Sequence, residues 1–149
     1  MRALVQRVSS GAVDIPQKKY RQEIGKGLVI LLGVSEDDNA AEVKYVAEKC
    51  ANLRIFNDDN GKMNLSVKDI NGEVLIISQF TLYGDTKKGN RPSYNKAAKP
   101  QKARDLYNMF VKLIKSQLGA EKVKEGIFAA MMEVKIINDG PVTVLVESK

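Results

Sequence analysis

Two short segments bring together residue types able to act on a carbonyl group or an amine. Ser78-Gln79-Phe80-Thr81-Leu82-Tyr83 follows the apolar run Val74-Leu75-Ile76-Ile77 and leads into the basic stretch that starts at Gly84. A strand ending there can present hydroxyls and free backbone N–H groups to a carbonyl oxygen developing negative charge. The same groups can also do no more than close the strand end by hydrogen bonding, and periodicity alone favours that bland role. The second segment is Gly140-Pro141-Val142-Thr143, set between two apolar runs. A cis Gly–Pro bond would bend the chain sharply and turn neighbouring carbonyls the same way, making an acceptor surface for an amine. Cis accounts for only about 5 to 6% of X–Pro bonds in folded proteins, so the dipeptide by itself predicts an ordinary trans turn.

The chain contains no histidine. Ser-His-Asp and Cys-His triads are therefore excluded, and Asp, Glu and one cysteine are left as the usual metal ligands. Cys50 falls on the helical stripe of Val43, Val46, Ala47 and Leu53, which predicts a buried structural thiol. The formal charge of +6 is concentrated: residues 84–104 hold Lys87, Lys88, Arg91, Lys96, Lys99, Lys102 and Arg104 against Asp85, while the remaining 17 basic and 17 acidic residues balance. Clustered cations of this kind suit a phosphate backbone, from which they release condensed counterions. A solvated charged loop would look the same, and charge alone does not separate the two.

These segments must be positioned by a scaffold that 149 residues can build as one domain, 1–149. Strands are predicted at 1–8, around 11–15, around 20–25 and at 28–34, the last apolar throughout and so covered on both faces. Asp38 or Asn39 can cap a helix over about 40–53. A second buried strand covers 73–80, and a second helix covers about 101–118 with Leu106, Phe110, Leu113, Ile114 and Leu118 inward. Strands at 132–138 and 142–147 complete the order, which implies an α/β protein with a mixed sheet and two helices on one side. Met1 to Val8 alternates polar and apolar residues, and no apolar run approaches membrane-spanning length, so a soluble, cytosolic protein without membrane contact is expected.

Taken together, Leu53-Arg54-Ile55-Phe56, Gly61-Lys62-Met63-Asn64, Ser78 to Tyr83, Lys88-Gly89-Asn90-Arg91-Pro92-Ser93 and Asn138 to Thr143 closely resemble the ordered motifs of the D-aminoacyl-tRNA deacylase family. The resemblance runs from Gln6-Arg7-Val8 almost to the C-terminus, and five ordered motifs are far more specific than one. It implies a single three-layer α/β/β domain with a mixed, largely antiparallel barrel-like sheet and two main helices on one side. It further implies a homodimer with active sites at the subunit interface, no metal and no organic cofactor. The implied reaction is hydrolysis of the ester of D-aminoacyl-tRNA and of mischarged glycyl-tRNA, with L-aminoacyl-tRNA excluded by a cis Gly140–Pro141.

In the roles that follow from the resemblance, the backbone around Phe80 and Thr81 holds the oxyanion and Gly140-Pro141 meets the amino group. Ser78, Gln79 and Thr143 orient the ester or adenosine. Water is activated with help from the terminal 2′-hydroxyl of the tRNA. A competing mechanism makes Thr81 Oγ a covalent nucleophile, with a lysine or carboxylate standing in for the missing histidine. Lys87, Lys88, Arg91, Lys96 and Lys99 become the surface for the tRNA acceptor end. Arg7 is a candidate brace for the Gly–Pro loop, against the simpler account of a surface ion pair. The rival from another class is a non-catalytic dimeric RNA-binding module; within enzymes, it is a relative tuned to glycine mischarged on alanine tRNA. Two departures from the family pattern stand out: Ala129, where glycine is usual, and Gly84, where alanine is common.

Overall fold

In the computed structural model, residues 1–148 are described. The sheet is organised around one long strand, β1 (Arg2–Ile15). β2 (Tyr20–Ile24) and β3 (Gly27–Gly33) lie antiparallel to its second and first halves, respectively. β6 (Glu73–Ser78) runs parallel to β3, and the short β7 (Val123–Glu125) runs parallel to β6. On the other edge of β1 lies β8 (Glu133–Glu147), antiparallel along nearly its whole length. Among the described residues the order is β2-β1-β3-β6-β7, with β8 on β1. The ends approach each other where the Tyr20 hydroxyl donates to the Glu125 carbonyl at 2.7 Å, leaving a nearly closed, barrel-like mixed sheet. A separate two-stranded ladder joins β4 (Phe56–Asn57) to β5 (Met63–Leu65).

Both helices cover the same face. α1 (Ala40–Asn52) starts at Asn39, whose side chain accepts from the Ala41 amide while Glu42 accepts from the Asn39 amide. That reciprocal cap satisfies two donors otherwise left open in the first turn. Asp38 instead pairs with the Met1 ammonium group. α2 (Pro100–Leu118) opens on a proline whose missing N–H costs nothing at that position. Val43, Val46, Ala47 and Cys50 of α1 and Tyr107, Phe110 and Ile114 of α2 share one core with Ala3, Val5, Leu28, Ile30, Leu32, Val74 and Ile76. The opposite faces of the same strands, Val8, Val13, Val29, Leu75 and Ile77, form a second core with Ile15 and Ile24. β3 is therefore apolar throughout, and β6 from Val74 to Ile77, because both sides are covered.

Four expectations change. The predicted strands 1–8 and 11–15 are one, since register shifts against β8 at Gln6/Val8 and Val8/Ser10 carry the chain from one core to the other without ending it. Likewise 132–138 and 142–147 are one strand with an interruption. The predicted strand 73–80 stops at Ser78, and Phe80–Tyr83 forms a 3-10 turn. On α2, Leu106, Leu113 and Leu118 are only half-buried, and the buried stripe is Ala103, Tyr107, Phe110, Val111 and Ile114. Tyr107 turns inward because its hydroxyl donates to the Ile76 carbonyl at 3.0 Å, so its polar atom is satisfied in the core. No described helix is long and apolar enough to cross a membrane.

Candidate active site

The first predicted segment sits at the C-terminal end of β6. The Gln79 amide donates to the Leu32 carbonyl at 2.8 Å, the last rung holding the chain to β3. The next residues turn, with the Leu82 amide on the Gln79 carbonyl at 3.3 Å and the Gly84 amide on the Thr81 carbonyl at 2.9 Å. The amides of Phe80 and Thr81, in the first step of this turn, have no acceptor among the described residues. An exposed pair of N–H groups beside a buried strand end is what an incoming carbonyl oxygen needs. The Gln79 amide nitrogen Nε2 donates to Thr81 Oγ1, tying the two side chains together. Phe80 is 58% exposed and meets Tyr94 edge to face at 5.1 Å between ring centroids.

Gly33 makes the turn possible. A Cβ there would stand 3.0 Å from the Gln79 carbonyl oxygen and 3.1 Å from Leu82 Cβ, so the turn packs directly over the glycine. Below it, burial raises the Tyr83 hydroxyl pKa, and Asp38 raises it further.

The second segment is a bulge in β8. Gln6 lies opposite Thr143 and Val8 opposite Asn138, so Asp139 to Val142 face Arg7 alone. Within the bulge the Gly140–Pro141 bond is cis, contrary to the turn that the dipeptide alone predicts and as the resemblance implies. Gly140 has φ +131, and a Cβ there would lie 2.8 Å from Val142 Cγ2 and 2.9 Å from Arg7 Nη2. The bulge is held by its neighbours. Asn138 Oδ1 accepts from the Val142 amide at 3.0 Å, and its Nδ2 donates to Thr143 Oγ1 at 3.0 Å. Gln6 Nε2 donates to the same hydroxyl oxygen at 3.3 Å. Arg7 is only 8% exposed and donates to the Asp139 carbonyl at 3.0 Å and the Ile55 carbonyl at 2.8 Å. It braces the bulge through backbone, and the surface ion pair is the lesser part: Asp139 Oδ2 stands 3.6 Å away and half exposed.

Within the chain the two segments are apart. Ser78 lies opposite Leu32, Leu32 opposite Ala3, and Ala3 opposite Val146. Pro141 is thus three strands across and five residues along from Ser78, on the order of 20 Å over the sheet surface. Thr143 and Leu145 are exposed on one face of β8 and Ile137, before the bulge, on the other, since Val142, Val144 and Val146 pack on the first core and Val134 and Ile136 on the second.

The basic loop leaves directly from the turn. Asp85 and Ser93 exchange backbone bonds at 2.7 and 2.9 Å, which closes the loop carrying exposed Lys87, Lys88 and Arg91. Lys96 and Lys99 are exposed near Glu36, which accepts from the Lys99 amide at 3.1 Å. Ala129 is exposed with φ +62; Gly84 has φ −65, a backbone angle any residue adopts, but a Cβ there would stand 3.0 Å from Tyr94 Cε1 and 3.1 Å from the Thr81 carbonyl oxygen. Sequence reasoning missed Gln6 and Asn138 as supports for Thr143. Only the adjacency of Asn138 to the Gly–Pro dipeptide was visible, and Gln6 reaches it through strand register alone.

The model of the D-Tyr-tRNA(Tyr) deacylase family matches residues 4–147. The D-aminoacyl-tRNA deacylases of Fervidobacterium nodosum and Thermosipho africanus are each 54% identical over 149 residues, covering 100% of this chain and 98% of theirs. That of Carboxydothermus hydrogenoformans is 54% identical over 147 residues, covering 99% of both. Among solved structures, one described as a c-Myc DNA unwinding element binding protein superposes with TM-score 0.93 at 39% identity, over 100% of this chain and 99% of that one. A probable eukaryotic D-amino acid tRNA deacylase superposes with TM-score 0.84 at 16% identity, over 99% and 98%, a likeness of fold. With a family match over almost its whole length and relatives above half identity, this chain belongs to the D-Tyr-tRNA(Tyr) deacylase family.

Proposed function

We propose that the protein hydrolyses the ester joining a D-amino acid, or mischarged glycine, to the 3′ end of tRNA in the cytoplasm, and spares L-aminoacyl-tRNA. The observation that carries this reading is the pair of unpaired amides, Phe80 and Thr81, at the end of β6. Water adds to the ester carbonyl carbon, the carbonyl oxygen takes up negative charge between these N–H groups, and the carbon–oxygen bond to the ribose breaks. The 3′ oxygen leaves with a proton that the neighbouring 2′-hydroxyl of the tRNA relays. The protein contributes position and electrostatics, with Ser78, Gln79 and Thr143 orienting the substrate. Thr81 acts as a ligand and not a nucleophile in this scheme, since its Oγ1 already accepts a hydrogen bond from Gln79 and no base stands beside it among the described contacts.

Selection rests on the bulge. Backbone at Gly140-Pro141 meets the amino group and senses where the Cα substituent points, whatever that substituent is. Because Ser78–Thr81 and Gly140–Pro141 are far apart on one protomer, a working site takes the first from one subunit and the second from another. An isologous homodimer through the exposed Thr143 and Leu145 side of β8 supplies two such sites. Lys87, Lys88, Arg91, Lys96 and Lys99 hold the acceptor end of the tRNA.

The test incubates EDTA-treated protein with D-Tyr-tRNA, L-Tyr-tRNA and Gly-tRNA and follows release of labelled amino acid. Release from the D and glycyl substrates with the L form intact supports the reading. No release from any, with tRNA still bound, converts it to an RNA-binding module.

A further inference from the structure

We propose that Arg2 is a positioning residue for the ester carbonyl, clamping the Phe80–Tyr83 turn from the strand beneath it. This inference rests on the deacylase reading above and adds to it a side chain outside the candidate motifs. Arg2 lies opposite Gly33 on β3 and opposite Glu147 on β8. Because Gly33 has no side chain, the guanidinium can cross over it to the turn. There Nη1 donates to the Leu82 carbonyl at 2.8 Å, and the guanidinium carbon lies 4.7 Å from the Tyr83 ring centroid. On its other side Nε donates to Glu147 Oε1 at 2.7 Å, which fixes the direction of the fork.

The turn needs such a clamp. Its own Leu82-to-Gln79 bond is long at 3.3 Å, and Phe80 at its start is largely exposed. The Gln79 carbonyl and the Phe80 amide share one planar peptide unit, so the bond from the Leu82 amide to that carbonyl sets the direction of the Phe80 amide, and a held Leu82 carbonyl keeps Leu82 in place to make it. The ion pair with Glu147 is part-exposed and contributes little by itself. What distinguishes Arg2 from an ordinary surface cation is the carbonyl it holds and the ring it covers. A planar fork that bonds sideways and stacks at once is a guanidinium property that an ammonium group lacks.

Single-turnover deacylation of D-Tyr-tRNA, with enzyme in excess, separates the rate constant from the half-saturating enzyme concentration. Arg2→Ala is expected to lower the rate constant about tenfold while changing half-saturation less than about twofold, as misplacement of a group acting in the transition state requires. Arg2→Lys, which keeps the charge and loses the stack, should fall between, about threefold below wild type. Guanidinium chloride at about 10 mM should restore part of the Arg2→Ala rate and leave wild type unchanged, with equal sodium chloride ineffective. Thermal melting of each variant accounts for any loss of folded protein. A wild-type rate in Arg2→Ala, or a rise in half-saturation at unchanged rate constant, overturns the proposal, the latter by making Arg2 a phosphate contact. Wild type inactive in the same assay removes the deacylase reading itself.

Discussion

Replacing Arg7 by alanine removes a guanidinium that donates to two carbonyls from separate parts of the chain, Ile55 at 2.8 Å and Asp139 at 3.0 Å. A hydrogen bond to a charged donor is worth about 1.5–3 kcal/mol, and the Ile55 oxygen is left in a buried position without a partner. Water entering the vacated space returns some of that loss, so a net destabilisation of about 4 kcal/mol is expected. For a chain of this length that corresponds to a fall in Tm on the order of 10 °C. Asp139→Ala is the control. It deletes a carboxylate that is 51% exposed and 3.6 Å from Arg7 Nε but keeps the Asp139 backbone carbonyl. Its cost should stay below about 1 kcal/mol. Urea denaturation followed by circular dichroism measures both. Equal losses from the two substitutions, or a loss under about 1 kcal/mol from Arg7→Ala, would refute the view that the arginine braces the bulge through backbone.

Ala129→Gly should stabilise the protein by about 1 kcal/mol in the same urea assay, because φ +62 strains an L side chain and not glycine. Cys50 has its pKa pushed up by burial from 9.0 to about 12, so in the native protein it should resist an aromatic disulfide reagent at pH 8 and react once urea is added. The same shift sets a pH slope. The neutral thiol's contribution is complete below pH 9 and is lost as pH rises towards 12, at up to about 1.4 kcal/mol per pH unit, and Cys50→Ala should remove the slope between pH 9 and 10, below the range in which the buried Tyr83 and Tyr107, raised from 10.0, add their own. Gly27→Ala should abolish soluble expression, since a Cβ there runs into the Glu73 carbonyl across the parallel β3–β6 pair. Charge reversal at Lys87, Lys88 and Arg91 together should raise KM for D-Tyr-tRNA more than it lowers kcat, with the difference shrinking as salt is added. An unchanged KM would detach this loop from the tRNA.

The parts of the fold set by local pattern were legible. Leu28 to Val34 and Val74 to Ile77 read as strands covered on both faces, and they separate the two cores. α1 was visible from its apolar spacing and from Asn39, although the choice between Asp38 and Asn39 as cap needed the ion pair that occupies Asp38. What resisted reading depended on distant partners. Ser9-Ser10-Gly11 looks like a break in the pattern, and only the register with β8 shows a strand changing faces. β4, β5 and β7 are two or three residues long and exist because a neighbour offers a ladder. At the site, the residue types at 78–81 and 140–143 were apparent, but the freedom of the Phe80 and Thr81 amides is a backbone property that no side chain announces. Arg7 was named as a brace beside a simpler alternative, and burial decides between them.

β1 and β8 are neighbours in space and nearly the whole chain apart, with Arg2 and Glu147 separated by 145 residues. During synthesis at about 5–20 residues per second, β1 can find β3 and β2 early, yet its other edge waits on the order of ten seconds for β8. The strand that finally covers that edge is also the one carrying Gly140-Pro141. On the proposed reading, a polypeptide interrupted before residue 133 would have the Phe80 and Thr81 amides without the element that discriminates, but it would also have an open β1 and no means of completing its sheet. On that reading, placing the discriminating element on the closing strand ties selectivity to folding, because a chain that lacks the element also lacks the strand that completes its sheet.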